Sequence, residues 1–261
     1  MPMSALNQLR RDFFEAYVEY LLPAPVQINF QAPTVEITPV PTAGTAVIAT
    51  QDKKADIFIY KPQNYAAISE EDLKNIQAKK FLYLPPFFTG ADIALVQEKL
   101  PLFEGIYCDG YYGLALAREL NMDFFAGTGW NLTNRFSVSE AKRYAKYFAL
   151  SKELSATEQR HLSAEGAYVL SGGAIKIMDL CYCPFGGKCT TCDKRECYTL
   201  TDESGRKFPL RRFRGAGKLC RFELYNCNPL AENTVQAGKL TDETVALSTP
   251  ATKGHMERSM L

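Results

Sequence analysis

Seven short apolar segments, spaced by roughly 20 residues, constrain the fold of this 261-residue chain most strongly. They seldom alternate between apolar and polar residues, which is typical of parallel strands that are covered on both faces. Each is also about as long as an ordinary strand. We therefore predict strands at 45–50, 56–60, 80–84, 104–108, 122–126, 147–151 and 167–171.

Helical stretches separate these predicted strands. The first, SEEDLKNIQ, opens with the capping-box pair Ser69 and Asp72. The others are ADIALVQEKL, YYGLALAREL, SVSEAKRYA and TEQRHL. Strand–helix repetition of this kind favours a β/α barrel or an open doubly wound sheet. Since a full eight-stranded barrel usually takes about 250 residues, we expect an α/β fold with a partial or small TIM-like barrel.

The chain divides into four predicted parts. Residues 1–44 contain a helix over 4–22 and a proline-rich linker, and residues 45–180 form the barrel-like domain. Residues 181–230 form a cysteine-rich extension, in which 198–202 and 206–213 flank a turn and predict a β-hairpin. Residues 231–261 are polar and lack periodicity, so we expect a flexible tail.

Composition restricts the compartment and the partners. The formal net charge of +1 means that nucleic-acid binding would need a local basic patch. The N-terminal stretch lacks the apolar core of a signal peptide, and no apolar run reaches the length of a membrane helix. We therefore expect a cytoplasmic protein with no membrane partner. Disulfides are rare in that compartment, so its eight cysteines need another explanation.

Seven of the eight cysteines lie between Cys181 and Cys227, with a spacing typical of metal ligands. Two thiolates separated by two residues can bind one metal, and a Gly-Gly pair before them allows the tight turn that this needs. Four cysteines without a histidine suit an iron–sulfur cluster or zinc equally well. Cys181 and Cys197 compete as ligands, but we favour Cys183, Cys189, Cys192 and Cys220.

Other candidates lie at predicted strand ends, where the working residues of β/α barrels are found. Glu153 could act as an acid or base, and Asn131 and Asn134 could orient a substrate amide or base edge. Alternatively, the asparagines cap the helix that starts near Val138, and Glu153 caps the next turn.

A basic, acid-free run extends from residue 205 to residue 221. Within it, Arg211, Arg212 and Arg214 lie near aromatic residues, a combination that suits a phosphate backbone. We therefore expect RNA as a partner. The alternative is a solvated hairpin whose charge balances the cysteine thiolates.

Several segments together resemble the peptidase U32 family, over most of residues 2–230. They are PMSALNQLRRDFFEA, ADIFIYKPQNY, NLTN, SKELS, IMDLCYCPFGGKC, YTLTDESGRKFPLRR and CRFELYNCNPL. The most specific block is the cysteine–proline knuckle, followed by a T-D-x-x-G-x-x-F-P hairpin and C-R-x-x-x-Y-N. The opening segment resembles an internal boundary of longer members, so the remainder of a longer U32-type protein is an expected partner.

The resemblance implies a barrel-like fold with a [4Fe–4S] cluster on cysteines, which fall at Cys183, Cys189, Cys192 and Cys220 here. It also implies an enzyme that hydroxylates RNA bases or a related aromatic substrate. A collagenase-like protease, after the older family description, is one alternative. A non-catalytic, metal-stapled module of a larger protein is another. No hydrolytic triad or HExxH motif is visible, which favours hydroxylation over proteolysis.

Overall fold

The computed structural model describes residues 2–22, 34–40, 42–187, 189–190, 192–217 and 220–257. Residues 23–33 and 41 of the linker expected over 23–44 lie outside this range. The last residues of the expected tail and Lys218 of the basic run lie outside it as well. The chain separates into two compact units, residues 1–34 and residues 35–261.

The first unit contains one helix, α1 (Met3–Leu21), close to the predicted 4–22. Every residue of α1 is exposed, including the apolar side chains that recur at helical spacing. The helix is therefore amphipathic by sequence but buries none of its apolar face within its own unit.

The second unit contains a closed barrel of eight parallel strands, so the TIM-like barrel is complete. Its order around the barrel is β1, β12, β7, β6, β5, β4, β3, β2. The first seven strands in sequence match the seven predicted segments. They are β1 (Thr45–Ala49), β2 (Ile57–Tyr60), β3 (Lys79–Leu84), β4 (Gly105–Cys108), β5 (Asp123–Ala126), β6 (Tyr147–Ala149) and β7 (Ala167–Gly173).

The eighth barrel strand, β12 (Gly238–Asp242), lies in the segment for which the sequence indicated a flexible tail. That expectation is wrong for these residues, because β12 pairs with both β1 and β7 and closes the barrel. Gly238 permits this closure, since a Cβ there would lie 2.6 Å from the ring of Tyr168 on β7. A short polar strand with glycine at its start has no apolar pattern for the sequence to reveal.

Four helices follow barrel strands: α2 (Gly90–Gln97), α3 (Tyr111–Glu119), α4 (Arg135–Lys142) and α5 (Ala156–Leu162). The helix expected over residues 69–77 is wrong, since the chain there forms turns. The Ser69 N–H does donate to the Asp72 carboxylate, as the capping box predicts. Leu73 and Ile76 then bury their side chains from short turns, so the segment covers the barrel without a continued helix.

Aromatic side chains fill the barrel interior. Phe81, Tyr83, Tyr107, Phe125 and Tyr168 form one buried cluster with small and branched residues from the other strands. A second, larger cluster lies between the barrel and its outer covering. The barrel is thus packed with side chains, and space for a ligand remains only near its ends.

A second sheet contains four antiparallel strands in the order β8 (Lys176–Leu180), β11 (Arg221–Tyr225), β10 (Lys207–Phe213) and β9 (Cys197–Thr201). We call it the capping sheet, because it lies over the carboxyl ends of the barrel strands. Arg211 on β10 donates to the carbonyls of Lys61 and Pro62, directly after β2. Lys176 on β8 donates to the hydroxyl of Tyr83 near the end of β3.

Candidate functional site

A buried ion-pair network lies where the capping sheet meets the barrel. Lys61, the first residue after β2, is 1% exposed, and its Nζ lies 3.1 Å from Oε1 of Glu223 on β11. The same Nζ donates to the hydroxyl of Tyr225 at 2.7 Å and lies 4.1 Å from the ring centre of Tyr83. The ammonium is therefore enclosed by a carboxylate, a phenol and an aromatic face.

Glu223 is shared by several cations. Arg211 Nη1 donates to its Oε2 at 3.1 Å, and the Tyr225 hydroxyl donates to the same oxygen at 3.0 Å. Burial alone would raise the pKa of Glu223. Its attraction to Lys61, Arg211 and Lys176 outweighs burial and lowers the pKa to about 2. Burial outweighs the carboxylates for Lys61, whose pKa is lowered.

A second group of charges adjoins the first and centres on Lys176. Its Nζ lies 3.1 Å from Asp109 Oδ2, 3.0 Å from Asp179 Oδ2 and 4.0 Å from Glu223 Oε1. Burial opposes the charged form, but these carboxylates raise the pKa of Lys176. Asp109 follows β4 and also accepts hydrogen bonds from the Tyr83 hydroxyl and the Gly129 N–H. Despite its burial, Lys176 and the Gly129 N–H lower the pKa of Asp109.

A cavity of about 280 Å³ opens beside Lys176, and we call it the mouth cavity. It lies at the carboxyl ends of the barrel strands, under β8 of the capping sheet. Most of its lining residues are polar or charged, among them Asp109, Asn131, Ser151, Lys152, Glu153, Lys176 and Asp179. Two of the predicted catalytic residues, Asn131 and Glu153, therefore line the same cavity.

Asn134, the third predicted catalytic residue, is the N-cap of α4. Its side chain accepts hydrogen bonds from the N–H groups of Phe136 and Ser137. Asn134 therefore caps a helix, as the alternative interpretation of the asparagines predicted. Asn131 has a left-handed backbone with φ of 50° and accepts a hydrogen bond from Ser151 at 2.7 Å. Ser151 is itself buried, so its hydroxyl fixes the side chain of Asn131 at the wall of the cavity.

The segments that carry the predicted metal ligands meet at one end of the capping sheet. Phe185, two residues after Cys183, packs against Tyr198 on β9 and Phe222 on β11. The Tyr198 hydroxyl lies 3.5 Å from Cys192 Sγ. Arg212 donates to Cys220 Sγ and to the carbonyls of Lys194 and Arg195 just after Cys192.

The donor chemistry of these cysteines fits a metal or cluster. None of the four is buried, and both Cys192 and Cys220 receive hydrogen bonds to sulfur, from the Lys194 N–H and from Arg212. The Tyr198 hydroxyl and the Lys194 N–H lower the pKa of Cys192, which favours the thiolate that metals bind. Within the described part of the chain, no three Cys, His, Asp or Glu side chains converge as a metal site.

The remaining cysteines differ in setting. Cys108 is buried at the end of β4, and burial raises the pKa of its thiol to about 12. Cys227 is buried and donates to Asn228 Oδ1 at 3.0 Å. Cys181 and Cys197, the competing ligands, are both exposed.

The predicted phosphate-binding arginines separate into three settings. Arg211 is buried in the ion-pair network, so its assignment as a nucleic-acid contact is wrong: its guanidinium is held by Glu223 and two carbonyls. Arg212 is half-buried and held against the cysteine segments. Arg214 is exposed, and its guanidinium has no partner among the described residues.

Three central residues of the ion-pair network were not predicted from the sequence. They are the cations Lys61 and Lys176 and the carboxylate that lies near both, Glu223. One signal was present, since Lys61 directly follows a predicted strand, as working residues of barrels do. No comparable signal marks Glu223, which lies 162 positions away in the chain and reaches Lys61 only after the capping sheet folds.

Comparison with known proteins yields no match to a family model, a curated protein or a solved structure. Among the described residues, no helix combines the length and the apolar character needed to span a membrane.

Proposed function

We propose that this chain is a U32-type iron–sulfur enzyme that hydroxylates an aromatic ring, either a base of RNA or a small aromatic compound. The observation that carries the proposal of an enzyme is the charged network of Lys61, Asp109, Lys176 and Glu223 at the carboxyl ends of the barrel strands. Burying several charges costs stability even when they are paired, and perturbed ionisable groups cluster at functional sites. These charges also lie at the end of the barrel where β/α-barrel enzymes carry their active sites.

The mouth cavity is the proposed substrate site. Asp109 and Lys176 are ion-paired on its wall, and a proton taken up by Asp109 would leave the Lys176 ammonium beside the carboxylates of Asp179 and Glu223. Asn131 and Glu153 can accept hydrogen bonds from the N–H groups of a ring edge. Water is restricted on one side by the capping sheet.

Cys183, Cys189, Cys192 and Cys220 would hold the cluster. A bound iron–sulfur cluster supplies one-electron redox chemistry. The support for this assignment is the contact set of Phe185, Tyr198 and Arg212, which joins three of the cysteine-bearing segments. The accessible thiols and the N–H donors around them are typical of such sites.

RNA as the carrier of the ring has support only from exposed basic side chains such as Arg214. The burial of Arg211 removes one of the three predicted phosphate contacts. A small aromatic substrate needs no such patch, so both carriers stay within the proposal.

The test is hydroxylation by the anaerobically reconstituted protein with an added oxygen-atom donor, which is reduced by two electrons as the ring C–H becomes C–OH. The product is read by mass spectrometry as the gain of one oxygen atom in RNA nucleosides or in small aromatic compounds. Asp109→Asn should lower turnover by at least about 100-fold, the scale of a lost proton-transfer group. Asp123→Asn is the matched control, since Asp123 begins β5 at the opposite end of the barrel and pairs with Lys146. Equal activity of the two variants would remove Asp109 from the reaction.

A further inference from the structure

A second cavity, of about 300 Å³, lies next to the mouth cavity and shares Lys152 and Glu153 with it. We call it the side cavity. It is bounded by β7, the start of β8 and the carboxyl-terminal segment around residues 252–256. Its volume is at the lower end of the range for ligand pockets, so it suits a small molecule.

One part of its lining is apolar. Leu170, Ile175, Ile177, Leu230 and Met256 contribute side chains. Such a surface favours a hydrocarbon or aromatic body over a sugar or a phosphate.

The other part carries opposite charges on neighbouring residues. Lys152 donates one hydrogen bond, to the Lys176 carbonyl at 2.6 Å, and its ammonium retains further donors. The half-buried Glu153 carboxylate has no hydrogen-bond or ion-pair partner among the described residues. Glu153 therefore has unused acceptors, and it lines a cavity whose lining also includes the Lys152 cation.

His255 adds a third polar group on the same wall. Its imidazole is half-buried and likewise has no partner within the described part of the chain. A neutral or protonated imidazole can donate to a carboxylate, which adds to the pull of Lys152.

We propose that the side cavity binds a free zwitterionic amino acid with an apolar side chain. Its ammonium would pair with Glu153, its carboxylate with Lys152 and His255, and its side chain would contact the apolar wall. A ligand with one charge would satisfy one of the two charged residues and leave the other unpaired in a partly desolvated site.

Lys152 and Glu153 line both cavities. An amino acid in the side cavity would therefore change the charge that a molecule in the mouth cavity meets. This binding does not depend on the proposed hydroxylation, and its test requires neither a cluster nor RNA.

The test is isothermal titration calorimetry of the full chain with L-leucine and L-phenylalanine. Two analogues of leucine separate the charges: 4-methylpentanoate lacks the ammonium, and 3-methylbutylamine lacks the carboxylate. We expect the amino acids to bind and each analogue to bind at least about tenfold more weakly, the scale of a lost charged hydrogen bond. Absence of binding by both amino acids, or equal binding of either analogue, would overturn the inference.

Glu153→Gln provides an independent arm. It should weaken leucine binding at least about tenfold and leave the affinity for 4-methylpentanoate nearly unchanged, because only the ammonium contact is lost. Glu165→Gln, at an exposed glutamate outside the cavity, is the matched control and should bind leucine as the parent does. Unchanged leucine affinity in Glu153→Gln contradicts the proposal. The analogue series uses the parent protein and decides the question even where a variant fails to fold.

Discussion

Glu223→Gln should destabilise the protein strongly, because Glu223 is the shared partner of two buried cations. The glutamate is fully buried, Lys61 Nζ lies 3.1 Å from it, and Arg211 donates to it at 3.1 Å. Glutamine keeps the shape of the side chain but removes its charge. Breaking a buried pair from one side typically costs about 3–5 kcal/mol.

The lowered pKa of Glu223 supports the same magnitude. A pKa of about 2 in the folded state, against an ordinary value of 4.5, corresponds to about 3 kcal/mol at neutral pH. Because the folded pKa is depressed, this stability is present above about pH 4.5 and is lost as the pH falls towards 2. The parent should therefore lose stability across that window, and Glu223→Gln should lose correspondingly less.

Lys61 adds a signature in the alkaline range. Its folded pKa is already below the ordinary value, and removal of Glu223 lowers it further. Between its folded pKa and the ordinary value of 10.5, the unfolded chain binds more protons than the folded chain, so the stability of the variant should rise as the pH approaches 10.5.

Urea unfolding, followed by circular dichroism and by the fluorescence of the single tryptophan, Trp130, measures these effects. Glu140→Gln is the matched control, since Glu140 is exposed and its one ion pair among the described residues is with exposed Arg143. This variant should change stability by less than about 0.5 kcal/mol. A loss below about 1 kcal/mol in Glu223→Gln at pH 7, or no rise in its stability towards pH 10, would refute the picture of a shared buried carboxylate.

Three further outcomes are expected. Gly238→Ala should cost about 1–3 kcal/mol in urea unfolding, since its Cβ would press on the ring of Tyr168, whereas Gly90→Ala, with open space around it, should be nearly neutral. Arg214→Ala should reduce the slope of log RNA affinity against log salt by about one, because its exposed guanidinium can contact a phosphate. Arg211→Ala should lower the stability of the protein, because Arg211 is buried. A changed salt slope in Arg211→Ala with unaltered stability would contradict this assignment. Replacement of any one of the predicted ligands by serine should lower the amount of iron bound after anaerobic reconstitution; these ligands are Cys183, Cys189, Cys192 and Cys220. Serine variants of the buried Cys108 and Cys227 are the controls, and a full complement of iron in all four ligand variants would exclude the predicted ligands.

The barrel was largely predictable from the sequence. Seven of its strands are short apolar runs because each is covered on both faces. Burial on both faces requires apolar side chains, so these strands can be recognised from their residue types. The eighth, Gly238–Asp242, is not such a run, and only its pairing with β1 and β7 makes it a strand. The helix expected after Ser69 did not form for a related reason. The local bond from the Ser69 N–H to Asp72 is present, but the packing of Leu73 and Ile76 decided the path of the chain.

The candidate site was predictable only where function follows from local position. Asn131 and Glu153 line the mouth cavity because the carboxyl ends of barrel strands converge. The spacing of the cysteines predicted a set of ligands, and the Phe185 contacts bring two of their segments to one end of the capping sheet. Only the tertiary structure determines that Arg211 and Lys61 are buried in an ion-pair network. Whether a cation is solvated or buried depends on partners such as Glu223, which are distant in the chain and become neighbours only after the capping sheet folds onto the barrel.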